Sequence, residues 1–238
     1  MTPFVFALAA ALGNVVGALA VVRHLQRGLR LIDACLAFGA GFMLAVTVLG
    51  VLPEVFNGST IAPLCVLLGY FAVHLAQHVF TPHFHFGEET HRVSSSAGQS
   101  AMFGLTLHTF FDGVAIASGF MVSGRLGILL FLAVLLHKLP EGVTIASVMV
   151  AGGHSRARAV GGAVVIGGAT LLGFLLTEQV RPLAQYGLAL SAGVTLYVAA
   201  SNLVPEFQGK RGWLSPLAFF GGGVGFFVTE RLLQGWLR

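Results

Sequence analysis

Two runs in the middle of the chain limit its fold more than any other feature: His108-Thr-Phe-Phe-Asp112-Gly-Val-Ala-Ile-Ala-Ser118 and His137-Lys-Leu-Pro-Glu141-Gly-Val-Thr-Ile-Ala-Ser147. Aligned on their histidines, both read His-x-x-x-acid-Gly-Val-x-Ile-Ala-Ser, and both lie inside long apolar stretches. Four residues make about one helical turn, so each run stacks an imidazole and a carboxylate on one helix face. Ionisable groups inside apolar spans are costly, and their default reading is an ion pathway or relay. A pair of such helices facing each other forms a four-ligand cage.

The surroundings of these runs exclude a soluble domain. Of the 238 residues, 56% are hydrophobic and only 9% charged, with a mean hydropathy of +0.87, against about 25% charged in a soluble domain. The lipid bilayer is therefore the first partner. A transmembrane helix takes roughly 20 apolar residues, which leaves room for about eight spans. The expected fold is an all-α polytopic membrane protein, one transmembrane domain over 1–238. Its spans are placed at 4–22, 31–52, 61–80, 100–122, 125–149, 157–178, 183–205 and 213–236, with a His-containing cytoplasmic loop at 81–99. The 32 glycines fit close helix contact, and Gly161-Gly162, Gly167-Gly168 and Gly221-Gly222-Gly223 read as interfaces or as local helix breaks.

Charge sets the orientation. The loops after spans 1, 3, 5 and 7 hold Arg23, Arg27, Arg30, Arg92, Arg156, Arg158, Lys210 and Arg211; the other side holds Arg125, Arg181, Arg231 and Arg238. The positive-inside rule then puts both termini outside, external or periplasmic, in a plasma (inner) membrane. No Lys or Arg precedes Arg23, so the first helix reads as uncleaved. The pI of about 9.6 reflects these loop charges, and nothing in the chain reads nucleic acid. Cys35 and Cys65 fall near opposite ends of neighbouring spans and read as packing residues rather than a disulfide.

A second similarity lies farther apart. Ala40-Gly41 through Pro53-Glu54 in span 2 parallels Ala192-Gly193 through Pro205-Glu206 in span 7. Five spans separate the copies, so they run in opposite directions, as in the inverted repeats of secondary transporters. Glu54, Glu206 and Asn202, one turn before Glu206, are candidates for the metal's path, or for interfacial capping. His74, His78, His83, His85 and His91 gather in and before the polar loop, with Glu88 and Glu89; they suit a metal-sensing or shuttling loop, or a hydrated connector. Ser-Ser-Ser-Ala-Gly after it reads as a flexible spacer.

For the central site, the helical rise of about 1.5 Å per residue puts His108 level with Glu141 and Asp112 level with His137. Two carboxylates offset a 2+ charge, and neutral imidazoles add ligands without adding charge. Pro140 frees the Leu136 carbonyl, and Gly142 weakens the helix beside the site. Met43 reaches similar depth in span 2, as a soft ligand or as packing.

These residues carry a resemblance. His108 to Gly113 is similar to the span-4 His-x-x-x-Asp-Gly motif of the ZIP (Zrt-, Irt-like protein) metal transporters. His137, Pro140, Glu141 and Gly142 resemble that family's span-5 His-x-x-Pro-Glu-Gly motif. The resemblance implies a 3+2+3 inverted arrangement of eight spans, a metal site with His108, His137 and Glu141 as ligands and Asp112 beside them, and uptake towards the cytoplasm. It also implies a homodimer working by sliding of helix groups, and a methionine at the metal at the position of Met43. One departure stands out: members often have Asn after the span-4 histidine and Asn or Asp after the span-5 histidine, where a second metal binds. Here those positions are Thr109 and Lys138. A lysine there repels a second cation or stands in for it, so a single-metal site is expected, with Lys138 neutralising Asp112 or Glu141.

Zinc is the first choice of substrate on the ligand set, with iron, manganese, cadmium and cobalt accepting similar ligands. No catalytic cofactor and no enzyme activity are expected. The main rival is an intramembrane metal-dependent hydrolase, although the His-Glu-x-x-His pattern of zinc proteases is absent. A passive channel or a metal receptor stands further off.

Overall fold

The computed structural model describes residues 2–24, 29–79, 95–205 and 212–236, and among them there are helices and no strands. We number the helical runs in chain order. They are α1 (Phe4–His24), α2 (Leu29–Ala45, continuing through a π-helical Val46–Val51 into Leu52–Gly58), α3 (Ala62–Val79) and α4 (Ser95–Val122). Then come α5 (Gly124–Ala151), α6 (Arg156–Gln179), α7 (Arg181–Tyr197, continuing into a π-helical Val198–Leu203) and α8 (Leu214–Trp236). Eight long helical runs among the described residues fall on the eight apolar stretches of the sequence to within a few residues, with two exceptions. Past the π-turn α2 extends to Gly58, and α4 begins at Ser95, so Ser95, Ser96, Ala97 and Gly98, expected as spacer, are helical. Serine and alanine in the first turn of a helix cost little, which is why their composition misleads.

Among the described residues, six stretches are long and apolar enough to cross a membrane: Phe4–Arg23, Asp33–Asn57, Leu105–Val122, Gly124–Val150, Arg156–Gln179 and Arg181–Leu203. The shorter Ala62–Gln77 in α3 is also apolar. Burial runs the way lipid requires. Leu8, Leu12 and Val16 on α1, Leu64, Leu68 and Phe71 on α3, and Leu217, Phe220 and Val224 on α8 are exposed, whereas Asn14, His108, Asp112, His137, Lys138 and Glu141 are buried. Apolar outside and charged inside identifies an integral membrane protein.

Glycines decide which helices touch. A Cβ at Gly17 or Gly142 would strike the backbone of Leu139 or Asn14, locking α1 against α5. Gly113 and Gly173 do the same between α4 and α6, Gly41 and Gly222 between α2 and α8, and Gly69 and Gly193 between α3 and α7. Each pair is reciprocal, backbone on backbone, as expected where lipid supplies no hydrophobic drive between helices. In the glycine patches one residue faces a neighbour and the next faces open space: Gly167 lies on Ala11 and Gly222 on Phe38, while Gly168 and Gly223 meet nothing. They are interfaces, and the helices run through them unbroken.

The π-segments have a local cause. Proline inside a helix clashes with the carbonyl four residues back and donates no hydrogen bond. Ahead of Pro53 the Leu52 N–H bonds to the Thr47 carbonyl, and ahead of Pro205 the Val204 N–H bonds to the Ala199 carbonyl, so the turn widens in both places. The two widened turns occupy equivalent positions in the Ala-Gly to Pro-Glu segments.

The glycine contacts give a signed prediction. Gly222→Ala and Gly193→Ala should each lower stability by about 1–3 kcal/mol through overpacking, whereas Gly168→Ala and Gly223→Ala should be neutral or gain up to about 1 kcal/mol of helix propensity. Thermal unfolding in detergent checks this, and equal losses in all four would contradict the interface reading.

Candidate metal site

The hairpin of α4 and α5 turns on the single residue Ser123, whose side chain accepts a hydrogen bond from Leu126 N at 3.1 Å and caps α5. This tight turn makes the helices antiparallel neighbours and brings the two His-x-x-x-acid runs to one level. Asp112 Oδ2 lies 3.3 Å from His108 Nε2 and 3.3 Å from His137 Nε2. Glu141 Oε1 lies 3.9 Å from His108 Nε2, and the two imidazole rings are 5.3 Å apart. His108, Asp112 and His137, all buried, offer ligand atoms within 4.8 Å of one another, with Glu141 at the edge of the group.

Hydrogen bonds orient the ligands. His137 Nδ1 sits 2.9 Å from the Ala133 carbonyl, which only accepts. Nδ1 therefore donates, and in the neutral ring Nε2 is left as a lone-pair nitrogen facing Asp112. Glu141 Oε1 and His108 Nδ1 are buried without a hydrogen-bond partner.

Lys138 is fully buried. Its Nζ is 2.6 Å from Asp112 Oδ2 and 2.8 Å from Glu141 Oε2, so it bridges both carboxylates rather than pairing with one. Thr109, also buried, bonds back to its own helix at the Thr106 carbonyl, 3.0 Å away. Such back-bonding is how hydroxyls are satisfied in apolar surroundings, and Thr47 and Thr144 do the same.

Two cavities flank the cluster. One is lined by His108, His137 and Glu141 together with Gln77, Thr144 and Asn202. The other lies at the opposite end of α5 and is lined by Glu54, Asn57, Ser123, Arg125 and Glu230, with Arg125 Nη1 3.8 Å from Glu230 Oε1. Along α5 their nearest lining residues, Leu129 and His137, are about 12 Å apart by helical rise. An apolar cluster containing Val46, Leu129 and Ala133 fills that interval. Met43 belongs to this cluster and does not line either cavity. Pro140 leaves the Leu136 carbonyl without its usual donor, and Gly39 of α2 lies against it. Gly142 does not break α5; its missing side chain admits α1.

The structure thus brings together His108, Asp112, His137, Lys138 and Glu141, adds Asn202 to the adjoining cavity, and puts Glu54 in the far one. His74 stacks edge-on against Tyr197 with ring centroids 5.7 Å apart, away from the cluster's lining. His78 falls within α3, and Glu206, His83, His85 and His91 lie outside the described residues. Cys35 and Cys65 are free thiols. Sequence reasoning passed over Asn14, Gln77, Thr144 and Glu230. Of these, Asn14 carried a signal, as the only amide within an otherwise apolar first span.

An apolar-faced helical bundle with a buried His/Asp cluster defines a polytopic membrane protein able to hold a transition-metal ion. The comparisons narrow that class. The profile of the family described as ZIP zinc transporter matches residues 85–230, and the chain belongs to this family. Among its relatives, zinc transporter ZIP13 of Pongo abelii is 29% identical over 119 residues, covering 48% of this chain and 36% of that protein. Zinc transporter foi of Drosophila melanogaster is 29% identical over 136 residues (54% and 19%). Zinc transporter ZIP9 of Micropogonias undulatus is 30% identical over 157 residues (60% and 50%). The match spans about a third of the length of ZIP13.

The lysine bridge predicts a large electrostatic coupling. Lys138→Met leaves two buried carboxylates uncompensated and should cost about 3–5 kcal/mol of stability in metal-free protein. Adding Asp112→Asn should restore part of it, with a coupling of at least about 1 kcal/mol. A double-mutant cycle by chemical denaturation in detergent measures this; additive losses would show that the two groups do not interact.

Proposed function

We propose that the chain carries a divalent transition metal, zinc first, across the membrane towards the cytoplasm, with His108, Asp112, His137 and Glu141 as its ligands. The observation that carries this is the buried trio of imidazoles and carboxylate between α4 and α5, next to a cavity where Gln77, Thr144 and Asn202 stand among apolar side chains. Relatives named as zinc transporters support the choice of process and of ion. Iron, manganese, cadmium and cobalt suit the same donors.

Lys138 holds the place that a second cation would need, so the site takes one ion. Two carboxylates and one ammonium leave a formal charge of −1; one divalent ion takes it to +1, and a second meets repulsion at every oxygen. Asn202 lines the way to one side and Glu54 the way to the other, with Glu206 as the counterpart of Glu54. His74, His78, His83, His85 and His91 would receive or sense the ion on the cytoplasmic side. Met43 belongs to the apolar layer that the ion must pass, where its thioether can touch it in transit.

The helices span the membrane eight times as a 3+2+3 inverted repeat with external termini, in a homodimer. The reciprocal glycine contacts support the repeat: α1 docks on α5 as α6 docks on α4, and α2 docks on α8 as α7 docks on α3. The matched π-turns of α2 and α7 support it as well.

Zinc flux into vesicles tests the function. The parent chain should give saturable uptake without peptide or lipid hydrolysis, and His137→Ala and Glu141→Ala should each reduce it by at least about tenfold. Unchanged flux in both would remove the central site from the mechanism, and metal-dependent hydrolysis without flux would favour an intramembrane hydrolase. In calorimetry the parent should bind a single tight zinc per chain; two would refute the one-ion site.

A further inference from the structure

We propose that Asn14, on α1, is a positioning residue that decides which oxygen of Glu141 meets the metal. This rests on the reading of Glu141 as a ligand and adds a third helix to the site.

Asn14 is fully buried. Its carboxamide faces two acceptors, so the amide nitrogen is turned towards them: Nδ2 lies 3.0 Å from Glu141 Oε2 and 2.6 Å from the Lys138 carbonyl. Glu141 Oε2 thereby receives two donors, Asn14 Nδ2 and Lys138 Nζ, the latter at 2.8 Å. Glu141 Oε1 receives none, although it is buried, and it points to the His108 side, 3.9 Å from Nε2. A buried carboxylate with one oxygen doubly satisfied and the other bare is set to give a single bond to a cation. Without Asn14 only the flexible lysine would hold Oε2, and the group would be free to turn both oxygens to the ion.

The motif glycine explains how α1 gets there. Gly142 follows Glu141, and a Cβ on it would collide with the Asn14 backbone. Gly13 and Gly17 flank Asn14 on the same face, against Lys138 and Leu139. Three glycines thus bring one amide to one carboxylate. On the α4 side Gly113 meets Thr170 of α6 in the same way, but the Thr170 hydroxyl is buried without a hydrogen-bond partner. Among the described residues, the glutamate side alone has a donor from a helix outside the α4–α5 pair.

The full-length chain in detergent, probed with zinc alone and then with cobalt alone, provides the test. Asn14→Leu removes the donors at similar volume, and Asn14→Ser is the smaller variant should the first not fold. Both should weaken zinc binding by about tenfold or more. The cobalt visible spectrum should lose intensity as the released carboxylate raises the coordination number. Asn14→Leu should add nothing to the loss caused by Glu141→Gln. Parent-like zinc affinity and cobalt spectrum in folded Asn14 variants, with Glu141→Gln impaired, would overturn the inference and leave the ligand reading standing. Additive losses in the double variant would overturn it too, marking Asn14 as a docking residue only. Parent-like zinc binding in Glu141→Gln would instead remove the ligand reading on which it rests.

Discussion

The protein depends on one arrangement of charge: the Lys138 ammonium held between the carboxylates of Asp112 and Glu141, with no water-facing surface on the lysine. Isolated in an apolar interior, any of the three would carry a desolvation cost of several kcal/mol. Together they satisfy one another, and the two histidines complete a polar core that α4 and α5 could not bury separately. The other helices enclose this core. Their outward faces carry leucine, valine and phenylalanine, and their inward faces carry glycine where a backbone must approach.

Close approach links the fold to the site. In water, a helix earns its place by burying an apolar stripe; in lipid, that gain disappears and contact area must come from fit. The glycines at the ends of the two motifs are among these close approaches, Gly113 against α6 and Gly142 against α1. The residues that follow the two acids therefore serve docking, and through docking they fix the acids themselves. This is why a motif of histidine, acid and glycine reads as a unit although the glycine contributes no ligand atom.

Much of this was legible in the sequence. The positions of the helical runs follow from apolar stretches punctuated by Arg, Pro and polar clusters, and the meeting of the four central side chains follows from helical rise along two antiparallel helices. What periodicity cannot carry is the third dimension. That Lys138 bridges both acids depends on its rotamer, and that Asn14 reaches Glu141 depends on the α1–α5 contact, which no spacing along the chain encodes. The π-turns were half visible: Pro53 and Pro205 stand at equivalent offsets, but whether a proline kinks, ends or widens a helix is settled by its neighbours. Gly142 was misread as a weak point because glycine signals flexibility and close packing alike.

The two acids do not stand in equal relation to an incoming ion. Asp112 Oδ2 is at once 2.6 Å from Lys138 Nζ and 3.3 Å from each histidine Nε2, so the oxygen best placed for the metal is the one the lysine already holds. Glu141 divides its work, with Oε2 for Lys138 and Asn14 and Oε1 left over. An ion settling among the histidines therefore competes with an intramolecular cation for Asp112 and faces no rival for Glu141 Oε1. Competition of this kind lowers affinity without removing any ligand. When the ion departs, the ammonium again holds both acids, so release never leaves two bare carboxylates buried together. On the function proposed above, a carrier has to let go of what it binds, and a tethered positive charge at the contested oxygen would supply that from within the site.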